Sequence, residues 1–207
     1  MNARSNSISL PIDVRQGSLV TLLTVGIPVI LLTIWARPGY RYHQTLVRRL
    51  IHFVLPASIL SSLIGLGVFY GPLFFQLTPD VRALSAEEFL GAFAHIIQIN
   101  QTGLSAFLVA VGLLLLLFVE PPTPWWVGAD RLSGDWRPTW LAVGLGCLFL
   151  AVMLTPLRDF FDLAPLDPLH TAFVGGAALL WLFLVRLTWR RRLLERFFGV
   201  ESSTGAQ

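Results

Sequence analysis

The chain has 207 residues, of which 55% are hydrophobic and only 13% charged, with a mean hydropathy of +0.69 and a formal charge of +3. Soluble domains carry about twice that share of charge, so a water-soluble globular fold is excluded, and the length fits one bundle of membrane helices. The basic charge is all arginine, without a single lysine; it lies between apolar runs rather than along one helix face, which argues for membrane topology and against nucleic acid as the partner.

Arginines, aspartates and glutamates cut the chain into five uncharged windows, 16–36, 50–79, 89–119, 138–157 and 168–185. A bilayer core of ~30 Å needs about 20 helical residues. The first window, 21 residues between Arg15 and Arg37, is longer than the ~7–15 of a signal-peptide core. It has no small-x-small cleavage site before Arg37, so it reads as a retained span. Gly26, Ile27 and Pro28 interrupt it near its middle. A proline there withholds an amide from the carbonyl of Thr24 and disturbs the helix. Freed carbonyls with the hydroxyls of Thr21 and Thr24 are hard oxygen ligands of the kind an inorganic cation accepts. Thr21, Thr24, Gly26 and Pro28 are therefore the ion-path candidates. The alternative is a kink that serves packing, since glycine and proline are frequent in membrane helices.

In the second window, Pro72 and Pro79 should end a helix near Phe69–Phe75. The third should hold two elements. Ser85 and Glu88 have the spacing of a capping box, and Phe89, Phe93, Ile96, Ile97 and Asn100 share one face of a short interfacial helix. A span then follows over 102–119. The fourth and fifth windows fit one helix each. The expectation is an all-α, polytopic membrane helix bundle of five transmembrane helices. An N-terminal tail covers 1–16, a single bundle 17–189 with spans at about 17–36, 50–71, 102–119, 139–156 and 169–187, and a basic tail 190–207.

Arginine placement orients the bundle. The loops 37–49 and 120–137 and the C-terminal end from Arg186 onward carry 11 arginines, against four on the other side. The positive-inside rule puts the N-terminus outside and the C-terminus in the cytoplasm. Most tryptophans fall near span ends, and only Trp181 lies deep. Ser58, Ser61, Ser62, Ser105 and Thr155 should pack and hydrogen-bond between helices, as should the small pairs Ser61–Gly65, Ala106–Ala110, Ala142–Gly146 and Ala172–Gly176. His52, His95 and His170 share no face at metal-ligand spacing. Asp159, Asp162 and Asp167 read as solvated loop charge. Cys147 has no partner for a disulfide. No Ser-His-Asp set, cysteine pair, phosphate loop or catalytic carboxylate pair is present, so no catalytic residue, metal site or bound cofactor is expected on this chain.

Three stretches then resemble a known family. "LVTLLTVGIPVILLT" is similar to the sixth membrane helix of P-type cation-transporting ATPases, with its Thr-x-Gly-x-Pro core at Thr24, Gly26 and Pro28. "NQTGLSAFLVAVGLLL" is similar to the start of the eighth helix, and "TPLRDFFDLAPL" to the extracytoplasmic link between the ninth and tenth. The resemblance covers about Leu10 to Gly199 and is nearest to the bacterial calcium-type, cation-transporting ATPase E branch. It implies the last five of ten helices in a pump of the cell (plasma) membrane. ATP and magnesium would belong to a catalytic part on a separate chain that also carries the first helices. No phosphorylation loop, nucleotide-binding domain or actuator domain is present here, so activity alone is not expected. Val25 stands where many calcium pumps have an aspartate, and Thr21 where they have an asparagine. No Asp or Glu lies within any span, so the charge for a cation would have to come from the missing helices. The alternative is a self-contained membrane scaffold or accessory protein without ATP coupling.

The arginine asymmetry gives a direct test. A reporter active only in the cytoplasm should be active when fused after Gly199 and silent after Thr78; the reverse pattern contradicts the orientation.

Overall fold

Gly26 and Pro28 fall in the middle of the first apolar run, and the backbone answers them with a widened turn. In the computed structural model, which describes residues 12–35, 46–77, 81, 85–119 and 136–190, α1 (Val14–Thr21) passes through a π-turn (Leu22–Gly26) into α2 (Ile27–Trp35). The amide of Ile27 donates to the Leu22 carbonyl, five residues back. Such a local π adjustment is how a membrane helix keeps its backbone satisfied beside a proline. Asp13 caps the start of α1 by accepting from the Arg15 amide at 3.2 Å.

α3 runs over Leu46–Gln76, α4 over Ala86–Val119, α5 over Arg137–Leu154, the short α6 over Leu157–Phe160 and α7 over Pro168–Arg190. Five helices, counting α1 to α2 as one, are long and apolar enough to cross a membrane. Among the described residues the chain is an all-helical, multi-pass membrane protein. The N-terminal tail to residue 11, residues 36–45, the loop 120–135 with Trp125 and Trp126, and the tail from 191 lie outside the described residues.

α3 passes Pro72 and ends at Gln76, within a residue of the expected Phe69–Phe75; the proline lies near the helix end, where little helix remains to be disturbed. One boundary differs from expectation. The expected interfacial helix and the span after it form one unbroken helix, α4, of 34 residues. Nothing between Asn100 and Gly103 breaks the backbone, and two of the polar residues that resemble a boundary, Gln98 and Thr102, find partners in the link after α5. At ~1.5 Å per residue this helix is about 50 Å long, well over a bilayer core of ~30 Å. Its start is capped as expected: the Glu88 carboxylate accepts from the Ser85 hydroxyl at 2.6 Å and the Ser85 amide at 3.2 Å. Phe89 and Phe93 stack on one face of it with ring centroids 5.8 Å apart.

α4 is the centre of the bundle. Over its most apolar stretch 56% is buried, against 17–28% for the other spans. One face carries Leu104, Phe107 and Val111 against Phe69 of α3 and Val174 and Trp181 of α7. The opposite face carries Val109, Leu113 and Leu116 against Leu19 and Leu23 of the first span and Leu145 of α5. Between lipid and lipid-like side chains no hydrophobic driving force remains, so close packing of small residues holds such helices together. Gly65 fits this rule: a Cβ there would stand 3.2 Å from Leu104. Gly112 fits it more tightly, since an added Cβ would stand 2.5 Å from Thr24 Cγ2 and 2.7 Å from Thr24 Cβ. Ala172 and Gly176, by contrast, face outward, with nothing near Gly176.

Gly112→Ala should therefore push the first span off α4, at a cost of about 1–3 kcal/mol as for other overpacked sites. Thr24→Ser in the same chain should restore part of the loss by removing the nearest methyl. Thermal unfolding in detergent measures both; an unchanged midpoint for Gly112→Ala contradicts the close crossing.

Candidate functional site

The interrupted span lies at the edge of the bundle. Leu19, Leu23 and Pro28 are buried, whereas Thr21, Leu22, Val25, Val29 and Ile30 are exposed. The Thr21 hydroxyl donates to the Gly17 carbonyl at 2.9 Å and the Thr24 hydroxyl to the Val20 carbonyl at 2.8 Å. Each hydroxyl oxygen keeps a lone pair. The two side chains do not share surroundings: Thr21 is exposed, and Thr24 is half-buried against Gly112. Among the described residues, an added Cβ on Gly26 would meet only Leu22 Cδ1 at 3.5 Å and the Thr21 carbonyl at 3.8 Å within 4 Å, and no atom of another helix. Of α2, only Pro28 is buried. The turn thus presents an uncovered face carrying Thr21 and Val25, and a packed face carrying Thr24 and Pro28.

A second feature stands at the end of the bundle where α1 begins. Gln16, Asn100, Thr102 and Ser105 are polar and almost wholly buried. Gln16 uses both ends of its amide, with Nε2 donating to the Asp162 carbonyl at 2.9 Å and Oε1 accepting from the Ser105 hydroxyl at 3.1 Å. Gln98 Nε2 donates to the Asp162 carboxylate at 2.9 Å and, more weakly, to its carbonyl at 3.4 Å. Thr102 donates to the Gln98 carbonyl at 2.9 Å and accepts from the Ala164 amide at the same distance.

These bonds tie α1, α4 and the link after α5 into one seam. The link is held in return. Asp162 adopts a positive φ of 55°, a conformation that Asp tolerates better than most residues. Its amide bonds to the Asp159 carbonyl at 3.3 Å, and the Leu163 amide bonds to the Arg158 carbonyl at 2.9 Å. Leu163 and Ala164 are both buried beneath the turn. Amides and hydroxyls with one carboxylate at the rim can position helices. They contain neither a nucleophile with its base nor a set of metal ligands, and among the described residues no three of His, Cys, Asp and Glu cluster.

Other polar residues sort differently than expected. Ser105 does bond between helices, but Ser58 and Ser61 donate to their own helix, at Val54 and Ala57, each at 2.7 Å. Thr155 donates to the Val152 carbonyl at 3.4 Å and Ser62 is exposed. Among the three loop aspartates, Asp159 is solvated and pairs with Arg158 at 3.4 Å, whereas Asp162 belongs to the seam. Cys147 is exposed and free. Sequence reasoning missed Gln16 and Gln98. The signal available was their place, two long polar side chains at the edges of apolar runs, but their shared partner Asp162 lies 146 and 64 residues away.

Comparison of the chain with family models, with curated proteins and with solved structures finds no match.

The seam predicts a graded response at Asp162. Asp162→Asn keeps an acceptor and tolerates the positive φ, so its thermal midpoint should stay near that of the parent. Asp162→Leu leaves the Gln98 amide only its long bond to the residue 162 carbonyl and strains the turn, so it should lose about 1–3 kcal/mol. Equal stability of the two variants contradicts the seam.

Proposed function

We propose that the chain is the C-terminal transmembrane part of a P-type cation-transporting ATPase, lying in the cell membrane with its N-terminus outside and its C-terminus in the cytoplasm. One observation carries the reading: a π-turn and a buried proline at mid-span, in a helix whose Thr21 and Val25 side is uncovered at the bundle's edge. A widened turn beside a proline at membrane depth calls for neighbouring helices as cover. Helices carrying the missing carboxylates would supply that cover and the charge a cation needs. ATP and magnesium act on the catalytic part in this scheme, and the five helices pass its motions to the ion path. Loop 37–49 is the docking surface assigned to it.

The alternative, a scaffold without ATP coupling, is favoured by one feature: the polar seam is closed by residues of this chain alone.

The test is reconstitution. Alone in lipid vesicles, the chain should neither hydrolyse ATP nor form an acid-stable phosphorylated species. Co-expressed with a chain that carries the phosphorylation loop and the first five helices, it should co-purify and restore cation-stimulated hydrolysis. In that complex Pro28→Ala should impair transport while leaving the lone bundle as stable or more so. Val25→Asp should reduce recovery of the lone chain, where the carboxylate would face lipid, and raise divalent-cation affinity of the complex. Phosphorylation of this chain's own aspartates, or a complex whose transport ignores Pro28→Ala and whose affinity ignores Val25→Asp, overturns the proposal.

A further inference from the structure

A third set of polar groups lies where α3, α4 and α7 meet. Gln76, at the end of α3, and His170, near the start of α7, approach with Nε2 to Nε2 at 2.5 Å. Their remaining polar atoms, Gln76 Oε1 and His170 Nδ1, are buried without a hydrogen-bond partner, as are both Nδ2 and Oδ1 of Asn100. Asn100 is 2% exposed.

Register brings these groups to one level. An added Cβ on Gly103 would meet Val174 of α7 at 3.6 Å, and Leu104 meets Gly65 of α3. Asn100, one turn before both, sits on the ridge of α4 between those two helices. His170 is one turn before Val174 in the same direction. α3 runs antiparallel to α7, with Gly71 beside Phe173 and the Trp181 indole donating to the Ala57 carbonyl at 3.4 Å, so the end of α3 returns to His170. Phe69, Leu104 and Val174, one from each of the three helices, belong to a single apolar cluster.

We propose that this junction is a hydration site, in which one or two water molecules bridge Asn100 to Gln76 and His170. The donor set selects water. If Gln76 donates to the ring, the imidazole proton sits on Nδ1; then Nδ1–H and the Asn100 amide donate, and the two amide oxygens accept. With the Gln76 amide reversed, the ring proton moves to Nε2 and one donor and one acceptor trade places. Both arrangements leave donors and acceptors together, which a water satisfies and a bare cation, needing lone pairs alone, does not. Buried waters typically make about three hydrogen bonds to such otherwise unpaired groups. The site is independent of the pump reading, because it uses no residue of the interrupted span.

The test is water-edited solid-state NMR of the full chain, 15N-labelled and reconstituted in phosphatidylcholine bilayers. Magnetisation from water should reach the Asn100 side-chain amide and the His170 ring several-fold faster than the Trp181 indole, which is buried but bonded to protein. Asn100→Leu should slow the transfer to His170 while the Trp181 resonance stays in place. Transfer to Asn100 and His170 no faster than to Trp181 overturns the site, as does a direct Asn100–His170 hydrogen bond detected through its scalar coupling. If Asn100→Leu fails to fold, the comparison in the parent chain decides alone.

Discussion

Polar groups inside a membrane bundle have no bulk water to satisfy them, and in this protein that constraint is densest on one stretch of one helix. Residues 98–105 of α4 include Gln98, Asn100, Thr102 and Ser105, all within the helix that every other span touches. Had α4 broken at this stretch, the freed backbone would have needed partners too. By staying helical it satisfies its own backbone and turns three of these side chains toward α1 and the Asp162 turn. The long connection from α5 to α7 is thereby seated on the bundle, with Leu163 and Ala164 buried. Hydrogen bonds thus hold the end where α1 begins, while the remainder rests on van der Waals contact, with Gly65 on Leu104, Gly112 on Thr24 and the Phe107 and Trp181 core, joined by the Trp181 bond to Ala57.

Anchorage of the first span is uneven along its length. Its α1 half is fixed by Gln16 and packed through Leu19 and Leu23. Its α2 half, beyond the π-turn, buries only Pro28. A proline in the middle of a helix normally kinks it; here the widened turn takes up the disturbance while Thr24 stays pressed on Gly112. The same geometry that locks one half leaves the face with Thr21 and Val25 uncovered at the bundle's edge.

Much of this architecture was legible in the sequence. Uncharged windows mark all five spans, because few charged residues are tolerated at membrane depth, and Ser85–Glu88 marks the start of α4. Gly26 and Pro28 mark the interruption, though a π-turn rather than an open break was beyond what two residues can specify. The single helix over 86–119 was hidden, since Gln98 to Thr102 reads as an interface when their partners are unknown. Asp162 reads as solvated loop charge for the same reason: its role depends on Gln16 and Gln98, distant in the chain and brought close only by the packing of α4. Small pairs were informative where another helix lay opposite, as at Gly65, and silent at Gly176, where none does.

The central claim is that Gln16 and Ser105 join the first span to α4 inside the bundle. A double-mutant cycle of Gln16→Leu and Ser105→Ala, followed by thermal or denaturant unfolding in bilayers, measures this directly. The account predicts a coupling of about 0.6–1.7 kcal/mol, the range found for hydrogen bonds between membrane helices. Strictly additive losses from the two substitutions contradict it.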